Sequence, residues 1–581
     1  MAAIPRPEHP RPDRRRDDDW WLNLNGEWQF EIDPGVSGEA RGYATGRNLS
    51  GSISVPFCPE SRLSGVGNRD FLNCVWYRRF FEVPESWKDR RVLLHVGACD
   101  YATTVWLNGC EAGRHEGGYT PFCVELTDSL TDGRNELVIR AVDLMRDGFM
   151  PRGKQSPRYE SFGCLYTRTT GIWQTVWLEA VPRTRVDDVV VRPDLDRGLF
   201  SVRLAVRGGG PFEGVVSARA PGEEVGRTTF KGRGAVPVRL ELALEEARPW
   251  SPEDPFLYEI VVELTGQGGA DRLTTWAGLR KFHVEGNRFF LNDEPLFLRT
   301  VLDQGFYPDG VYTAPTMEAL EGDVEAALAF GFNGARLHQK VFEPLFLHLC
   351  DRKGYLVFGE FPDWGHPMDD PRFVHAMLDQ WAETVCRDLG HPSIIGWCPL
   401  NESGDADRTR YGEWLSRRLY RLTKALDPAR PVIDASGWFH FETDVWDTHN
   451  YQQDVERFAD AFEPLAGGDY GAAHSACERQ LPYDGRRPYF VSEFGGIAWS
   501  EGDVPEQAWG YGSGPATKEE FIARFRGLAE VLLNNPGVAG FCYTQLTDVE
   551  QEINGLLTYD RRPKFPAEQI AAILSQEAVV E

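Results

Sequence analysis

Along the first third of the chain, apolar and polar residues alternate in short runs at 27–32, 75–83, 91–96, 103–107, 136–142 and 174–179. Period-two runs broken by Gly, Asn, Asp and Pro predict an antiparallel β-sandwich over residues 1–182, because each strand buries one face and exposes the other. The step Leu107-Asn108-Gly109 predicts a tight hairpin, since Asn-Gly readily takes positive φ at both turn centres. The same texture returns at 189–193, 200–206, 214–219, 236–242 and 257–264. Pro249 and Pro252 punctuate that block, because proline has no N–H to give a central ladder.

The second block, residues 183–278, is roughly ninety residues of short alternating strands, the size of an immunoglobulin-like β-sandwich. From about Leu279 the pattern changes to apolar runs alternating with amphipathic stretches, which predicts a parallel (β/α)8 barrel over 279–581. Eight strands are predicted, at 296–302, 334–337, 356–360, 394–400, 431–434, 445–449, 489–492 and 538–543. Helices are predicted at 316–330, 342–353, 374–389, 411–426 and 518–534, with Gly331 and Asp427-Pro428 as stop signals.

Charge narrows the partners. With 88 acidic against 62 basic residues the net charge is -26, which argues against nucleic acid and anionic membranes and suits a neutral or sugar-like substrate. Eighteen Trp and nineteen Tyr supply flat apolar faces, for which core packing is the first use and sugar stacking the second. The eleven Cys are scattered without paired close spacing, so neither a disulfide framework nor a zinc site is indicated, and a reducing, cytoplasmic setting is expected. The first dozen residues, rich in Pro and charge, read as disordered and hold no signal peptide. No apolar run reaches the roughly 18 residues of a membrane span.

Two glutamates carry the candidate chemistry. Glu402, in CPLNES, follows the fourth predicted strand, and Glu493, in FVSEFGG, follows the seventh. A buried parallel strand ending in a carboxylate delivers it to the C-terminal face, where barrel enzymes keep their chemistry. Two such carboxyl groups suit glycosidic bond cleavage, which needs a proton on the leaving oxygen and negative charge against an oxocarbenium-like carbon.

The order sandwich, immunoglobulin-like module, barrel, with Asn401-Glu402 after strand four and Glu493 after strand seven, resembles glycoside hydrolase family 2. Segments 23–30 (NLNGEWQF), 75–77 (VWY), 170–174 (TGIWQ), 331–338 (GFNGARLH) and 560–564 (DRRPK) carry the same resemblance, which spans nearly the whole chain. It implies a jelly-roll, galactose-binding-like first sandwich. It also implies a retaining double displacement with Glu402 as general acid/base and Glu493 as nucleophile, the carboxyl groups about 5–5.5 Å apart. Glu402 is then expected to have a raised pKa, pushed upward by the neighbouring Glu493 charge.

By the same resemblance Asn401 holds the sugar 2-hydroxyl, Arg336 and His338 support the nucleophile and contact the sugar, and Tyr451 offers its hydroxyl to the nucleophile. His449, Asp303, Gln304, Glu360, Asp363, Trp364, Trp438 and Gln545 lie at strand ends facing the same mouth. Asp70 reads as a solvated loop residue unless its loop crosses the barrel. The reaction needs no metal and no cofactor is implied; some family members bind Mg²⁺ or Na⁺ near the acid/base, but no motif here demands it.

The departures bear on the sugar. β-Glucuronidases of this family bind the sugar carboxylate with an Asn-x-Lys element after the last strand. Residues 550–559 (EQEINGLLTY) have Asn554 but no lysine two positions later. A terminal neutral sugar is therefore expected from an exo-acting enzyme, with β-D-galactose the default. Galactofuranose and α-L-arabinofuranose fit the same pair, and glucuronide is the minor option. The rival from another class is a carbohydrate-binding protein without catalysis, which retention of both glutamates disfavours. The partner is a glycoside or oligosaccharide, and a homo-oligomer is left open.

Overall fold

The computed structural model describes residues 3–365, 370–403, 410–437, 439–472, 480–501 and 507–581. In the first sandwich a six-stranded antiparallel sheet runs in the order Gly51–Val55, Gly26–Ile32, Cys74–Glu82, Arg134–Val142, Ala102–Leu107, Cys110–Glu116. A four-stranded sheet, Trp21–Asn23, Val176–Val181, Arg91–Val96, Phe122–Glu125, lies against it. Alternate residues of both, such as Trp28, Tyr77 and Ile139 from one and Val92, Leu94 and Leu178 from the other, share one core. The predicted Asn-Gly hairpin is present: Leu107 pairs with Cys110, and Asn108 and Gly109 take φ of 51° and 79°.

The second sandwich sets Arg185–Asp194, Leu199–Arg207 and Val238–Ala243 against Glu223–Arg233, Pro211–Ala220, Tyr258–Gly266 and Gly269–Ala277. The strands Glu223–Arg233 and Gly269–Ala277 escape sequence reading. Both are edge strands; in the first only Gly226 and Phe230 are buried, and the second buries a mixed set, Asp271, Leu273, Thr275 and Ala277.

The parallel sheet contains β1 (Leu298–Asp303), β2 (Gly334–Leu337), β3 (Leu356–Glu360), β4 (Ile394–Cys398), β5 (Trp446–Asn450), β6 (Tyr489–Gly495) and β7 (Gly540–Thr544). They are ordered β4-β3-β2-β1-β7-β6-β5, so that β4 and β5 flank the one gap. The fifth predicted strand, at 431–434, sits there without forming a ladder strand, which corrects the count of eight. It bonds β4 on one side, through Trp397 N to Pro431 O (3.1 Å), Ile433 N to Trp397 O (2.9 Å) and Ser436 N to Leu400 O (2.8 Å). Its other edge meets no ladder strand: Asp444 N donates to Val432 O (2.9 Å), and side chains do the rest. Val432 N donates to the Asp444 carboxylate (3.0 Å), and Ser436 Oγ donates to Asp447 (2.6 Å).

Part of that side-chain seam titrates. His440, fully buried, lies between Asp434 (2.9 Å) and Asp447 (3.1 Å). Burial works to discharge the imidazole, but the hydrogen bonds and charges of the two aspartates outweigh it and push its pKa up to about 10. A folded pKa above the unfolded value of about 6.5 adds stability that is complete below that pH and is lost as pH rises through the folded pKa. The melting temperature is therefore expected to fall between roughly pH 6.5 and 10, and His440→Gln to flatten that fall. An equally steep decline in the variant, measured by thermal scans across this range, would remove His440 as its cause.

Helices α1 (Met317–Ala329), α2 (Pro344–Lys353), α3 (Pro371–Asp388), α4 (Arg410–Leu426), α5 (Val455–Ala466), α6 (Lys518–Leu533) and α7 (Ala567–Leu574) lie between and after the strands. Thr316 caps α1 by accepting from Ala319 N, and Thr517 caps α6 in the same way, as the sequence boundaries predict. Trp28, Trp76, Trp87, Trp173, Trp250, Trp381, Trp397 and Trp446 are all fully buried, so core packing is their role. No described helix is long and apolar enough to cross a membrane.

The N-terminal segment, expected to be disordered, is an ordered strap. Arg6 is buried and forks onto Glu343 of the barrel, Arg15 exchanges backbone hydrogen bonds with Thr274 of the second sandwich, and Arg16 pairs with Glu179 and Asp271. Composition suggested disorder because the partners that neutralise these arginines lie hundreds of residues away in sequence.

Candidate active site

The C-terminal ends of the parallel strands converge on Arg336, at the end of β2. Its guanidinium is fully buried and spends its donors on four acceptors: Glu360 at the end of β3 (2.5 Å), Ser492 O (2.8 Å) and Glu493 Oε1 (3.0 Å) from β6, and Asn401 Oδ1 after β4 (2.8 Å). One planar cation thus fixes three of the residues singled out by sequence. His338 Nδ1 lies 3.1 Å from the second Glu360 oxygen, and burial, then the Lys154 charge, hold this imidazole well below its ordinary pKa.

Glu493, 4 % exposed, is a member of the wholly buried β6. One carboxylate oxygen takes Arg336; the other accepts the Tyr451 hydroxyl. Tyr451, just after β5, also meets Thr544 Oγ1 at 3.1 Å and stacks flat on Tyr511. Glu402 reaches the same point from the opposite side of the gap. Its backbone takes a positive φ of 52°, a left-handed conformation rare for glutamate and frequent at functional sites, and its N–H donates to Ser436 O (2.7 Å).

His449, at the end of β5, joins the two glutamates. Nδ1 is 2.6 Å from Glu402 Oε1 and Nε2 is 3.4 Å from Glu493 Oε1. Burial works to discharge His449, but the Glu493 charge and the Glu402 hydrogen bond outweigh it and raise its pKa. Glu402 responds in the opposite sense to expectation. Burial pushes its pKa up, yet the hydrogen bond and charge of His449 overcome that and lower it. The sequence argument counted Glu493 and left out His449, which it had placed at the same mouth without pairing it to Glu402.

Oxygens of Glu402 and Glu493 and a nitrogen of His449 all lie within 4.8 Å of one another. This is the approach a retaining pair requires, well inside the roughly 6.5–9.5 Å of inverting enzymes. The same three groups are the metal-type cluster found among the described residues. Within it Glu402 Oε1 meets His449, and the two Glu493 oxygens meet Arg336 and Tyr451.

Asn401 accepts from Arg336 on Oδ1, while its Nδ2 is buried without a partner among the described residues, a donor left for a ligand. Trp364 Nε1 donates to Asn401 O (2.7 Å), and Asp363, pushed up to about 7 by burial, accepts Asn401 N (3.1 Å) and Gln339 Nε2 (2.7 Å). Gln304 and Gln545 bond each other (2.6 Å) beside Asn554. Asp303 is not brought to the pair: its carboxylate accepts Gly305 N (2.9 Å), and its pKa is pushed up to about 7 by burial and by Asp323. Asp70 is exposed in its own turn. Trp438 lies outside the described residues.

Sequence reasoning missed the roof of the site. A connection from the first sandwich, between Arg134–Val142 and Val176–Val181, brings Lys154 and Tyr166 over the barrel mouth. The Lys154 ammonium sits 3.8 Å from the centre of the Trp364 ring. Tyr166 donates to Glu552, a buried carboxylate after β7 that also accepts Asn554 Nδ2 (2.9 Å). The available signal was length: some thirty residues without periodicity inside a compact sandwich mark a functional loop.

With this geometry in view, the family comparisons are decisive. The sugar binding domain model of glycosyl hydrolases family 2 matches residues 65–181, the central model of that family matches 184–280, and its TIM barrel domain model matches 282–495. The chain belongs to glycoside hydrolase family 2. As a family-2 protein it is a retaining O-glycoside hydrolase with a sugar-binding sandwich, an immunoglobulin-like domain and a TIM barrel. Among family-2 relatives, the β-glucuronidase of Paenibacillus borealis is 25% identical over 440 residues, covering 71% of this chain and 72% of the relative. The β-glucuronidase of Felis catus is 27% identical over 451 residues, covering 70% and 67%. The β-galactosidase of Thermoanaerobacter pseudethanolicus is 26% identical over 440 residues, covering 74% of this chain and 54% of the relative. The β-glucuronidase structure from Ruminococcus gnavus in complex with D-glucuronic acid superposes with a TM-score of 0.79 over 97% of this chain and 99% of that one, at 21% identity. That likeness is one of fold.

Proposed function

We propose that this family-2 hydrolase is exo-acting and releases a terminal neutral sugar, β-D-galactose in first place, with Glu493 as nucleophile and Glu402 as general acid/base. Glu493 attacks the anomeric carbon while Glu402 gives its proton to the departing oxygen; Glu402 then takes a proton from the water that displaces Glu493, and net configuration is retained. The close approach of the two carboxylates, one held by Arg336 and Tyr451 and the other by His449, supports these roles. The unspent Asn401 amide supports a hydrogen bond to the 2-hydroxyl. The sandwich roof over the mouth supports exo action, since it closes one side of the pocket.

The observation that carries the choice of sugar is Glu552. A buried carboxylate stands in the 550–559 segment, at the mouth that already holds Glu402 and Glu493. A uronate would add a fourth negative charge to this group. The relatives named β-glucuronidase are the reason to test glucuronide beside β-galactopyranoside, β-galactofuranoside and α-L-arabinofuranoside, as 4-nitrophenyl glycosides with Glu493→Gln as control. Release from a neutral glycoside, lost in the control, upholds the reading. Release from the glucuronide alone sinks it.

His449 gives this reading a pH signature. In the free enzyme the transferable proton rests on the Glu402–His449 pair, with His449 raised and Glu402 lowered. Removing the imidazole leaves that proton to Glu402 alone. The basic limb of kcat/KM is therefore expected to move to lower pH in His449→Asn, and an unmoved limb would show that His449 does not share the proton.

A further inference from the structure

Lys154 is 6 % exposed, and among the described residues its ammonium makes no hydrogen bond and no ion pair; it lies 3.8 Å from the centre of the Trp364 ring. A desolvated ammonium with three unused donors is costly to fold, and such groups ordinarily carry partners. Its placement is built in. Arg152 N donates to Trp364 O (3.3 Å), Gly153 N to Pro362 O (3.1 Å) and Tyr166 N to Lys154 O (2.7 Å), clamping the backbone on both sides. Gly153 takes φ +55°, and a Cβ there would meet Gln339 O at 2.5 Å and Pro362 at 2.7 Å, so glycine alone lets this loop press onto the barrel.

Glu552 complements it from the barrel side. Its two oxygens accept Tyr166 and Asn554, and each retains acceptor capacity. Tyr166 links the two, its N–H on Lys154 O and its hydroxyl on Glu552; a carbohydrate hydroxyl is both acceptor and donor, so an ammonium and a carboxylate at one mouth are matched to hydroxyl groups, and Trp364 adds an apolar face for a ring.

We propose that Lys154 of the sandwich domain and Glu552 of the barrel are sugar-binding residues that together read hydroxyl groups of the terminal sugar, so that the specificity site is complete only when the two domains are docked. The proposal rests on the neutral-sugar reading above. Burial works against the charged form of Lys154, but nearby Cys164, Glu552, Glu493 and Glu402 outweigh it and raise its pKa, so the donor is present at neutral pH.

The test takes the neutral 4-nitrophenyl glycoside turned over fastest by the full-length enzyme, together with its monodeoxy derivatives, and compares wild type with Lys154→Met. On the parent glycoside kcat/KM is expected to fall about 10- to 100-fold, the range for a hydrogen bond to a charged group. On the derivative lacking the hydroxyl that Lys154 reads, the same substitution is expected to cost less than about threefold, because that bond is already absent. An equal loss on every derivative would overturn the proposal, leaving Lys154 to act only through its field on the glutamates. Unchanged kcat/KM on the parent would overturn it too, with the neutral-sugar reading intact. Wild-type activity on the glucuronide alone is seen before any substitution and removes the reading and the proposal together. Glu552→Gln, which conserves shape, runs in parallel in case Lys154→Met does not fold. It is expected to lose its effect on the same or a neighbouring deoxy position, and a uniform effect across the series counts against the proposal.

Discussion

Glu493→Gln is expected to lower kcat by about 10⁴-fold or more while leaving the fold and the affinity for product sugar close to wild type. The size follows from the role: a neutral amide cannot form the glycosyl ester, so the two-step path is closed. The mild effect on folding follows from the packing. Arg336 keeps Glu360 and Asn401 as partners when the Glu493 charge is removed, so no buried cation is abandoned. Rates on the preferred aryl glycoside, thermal scans and product-inhibition constants measure the three quantities. Labelling with a 2-deoxy-2-fluoro glycoside supplies the independent check, since peptide mass spectrometry must find the sugar on Glu493. A label elsewhere, or retained turnover in the variant, would end the assignment.

For Glu402→Gln the expected loss depends on the leaving group. An alkyl aglycone needs a proton as it departs, so kcat/KM should fall by about 10²- to 10⁴-fold. A dinitrophenyl aglycone departs as a stable anion, and its kcat/KM should fall far less. Without Glu402 as base the glycosyl-enzyme accumulates, giving burst kinetics, and azide should restore turnover by attacking without deprotonation. The azide product should keep the anomeric configuration of the substrate. A loss independent of leaving group would mean that Glu402 does not transfer the proton. Because His449 lowers Glu402 in the free enzyme, this variant should also be the one in which the basic limb of the pH profile is lost for alkyl substrates.

Residue pattern made the two glutamates legible because both end apolar runs, and a parallel strand buried on both faces is written as such a run. Strand-end position also placed Glu360 and His449 at the mouth, whereas Arg336, His338, Asn401 and Tyr451 were singled out by the family resemblance. Residue pattern failed at 431–434, which has strand-like residues but satisfies its second edge through Asp444, Asp447 and Thr443 rather than a ladder. It failed also at the edge strand Glu223–Arg233, where few apolar residues mark the buried face.

By itself the sequence determined two β-sandwiches ahead of an α/β barrel, the strand ends that carry carboxylates, and the spacing that brings Glu402 and Glu493 to one mouth, because these depend on local periodicity. Only the tertiary structure decided three other matters. It ordered the arginine-rich N-terminus by pairing it with Glu343, Glu179 and Asp271. It set His449 between the two glutamates and so reversed the expected pKa shift of Glu402. It also lowered Lys154 from another domain into the mouth beside Trp364. Each of these rests on charges meeting across long stretches of chain, and no local pattern encodes which distant charge a side chain will meet.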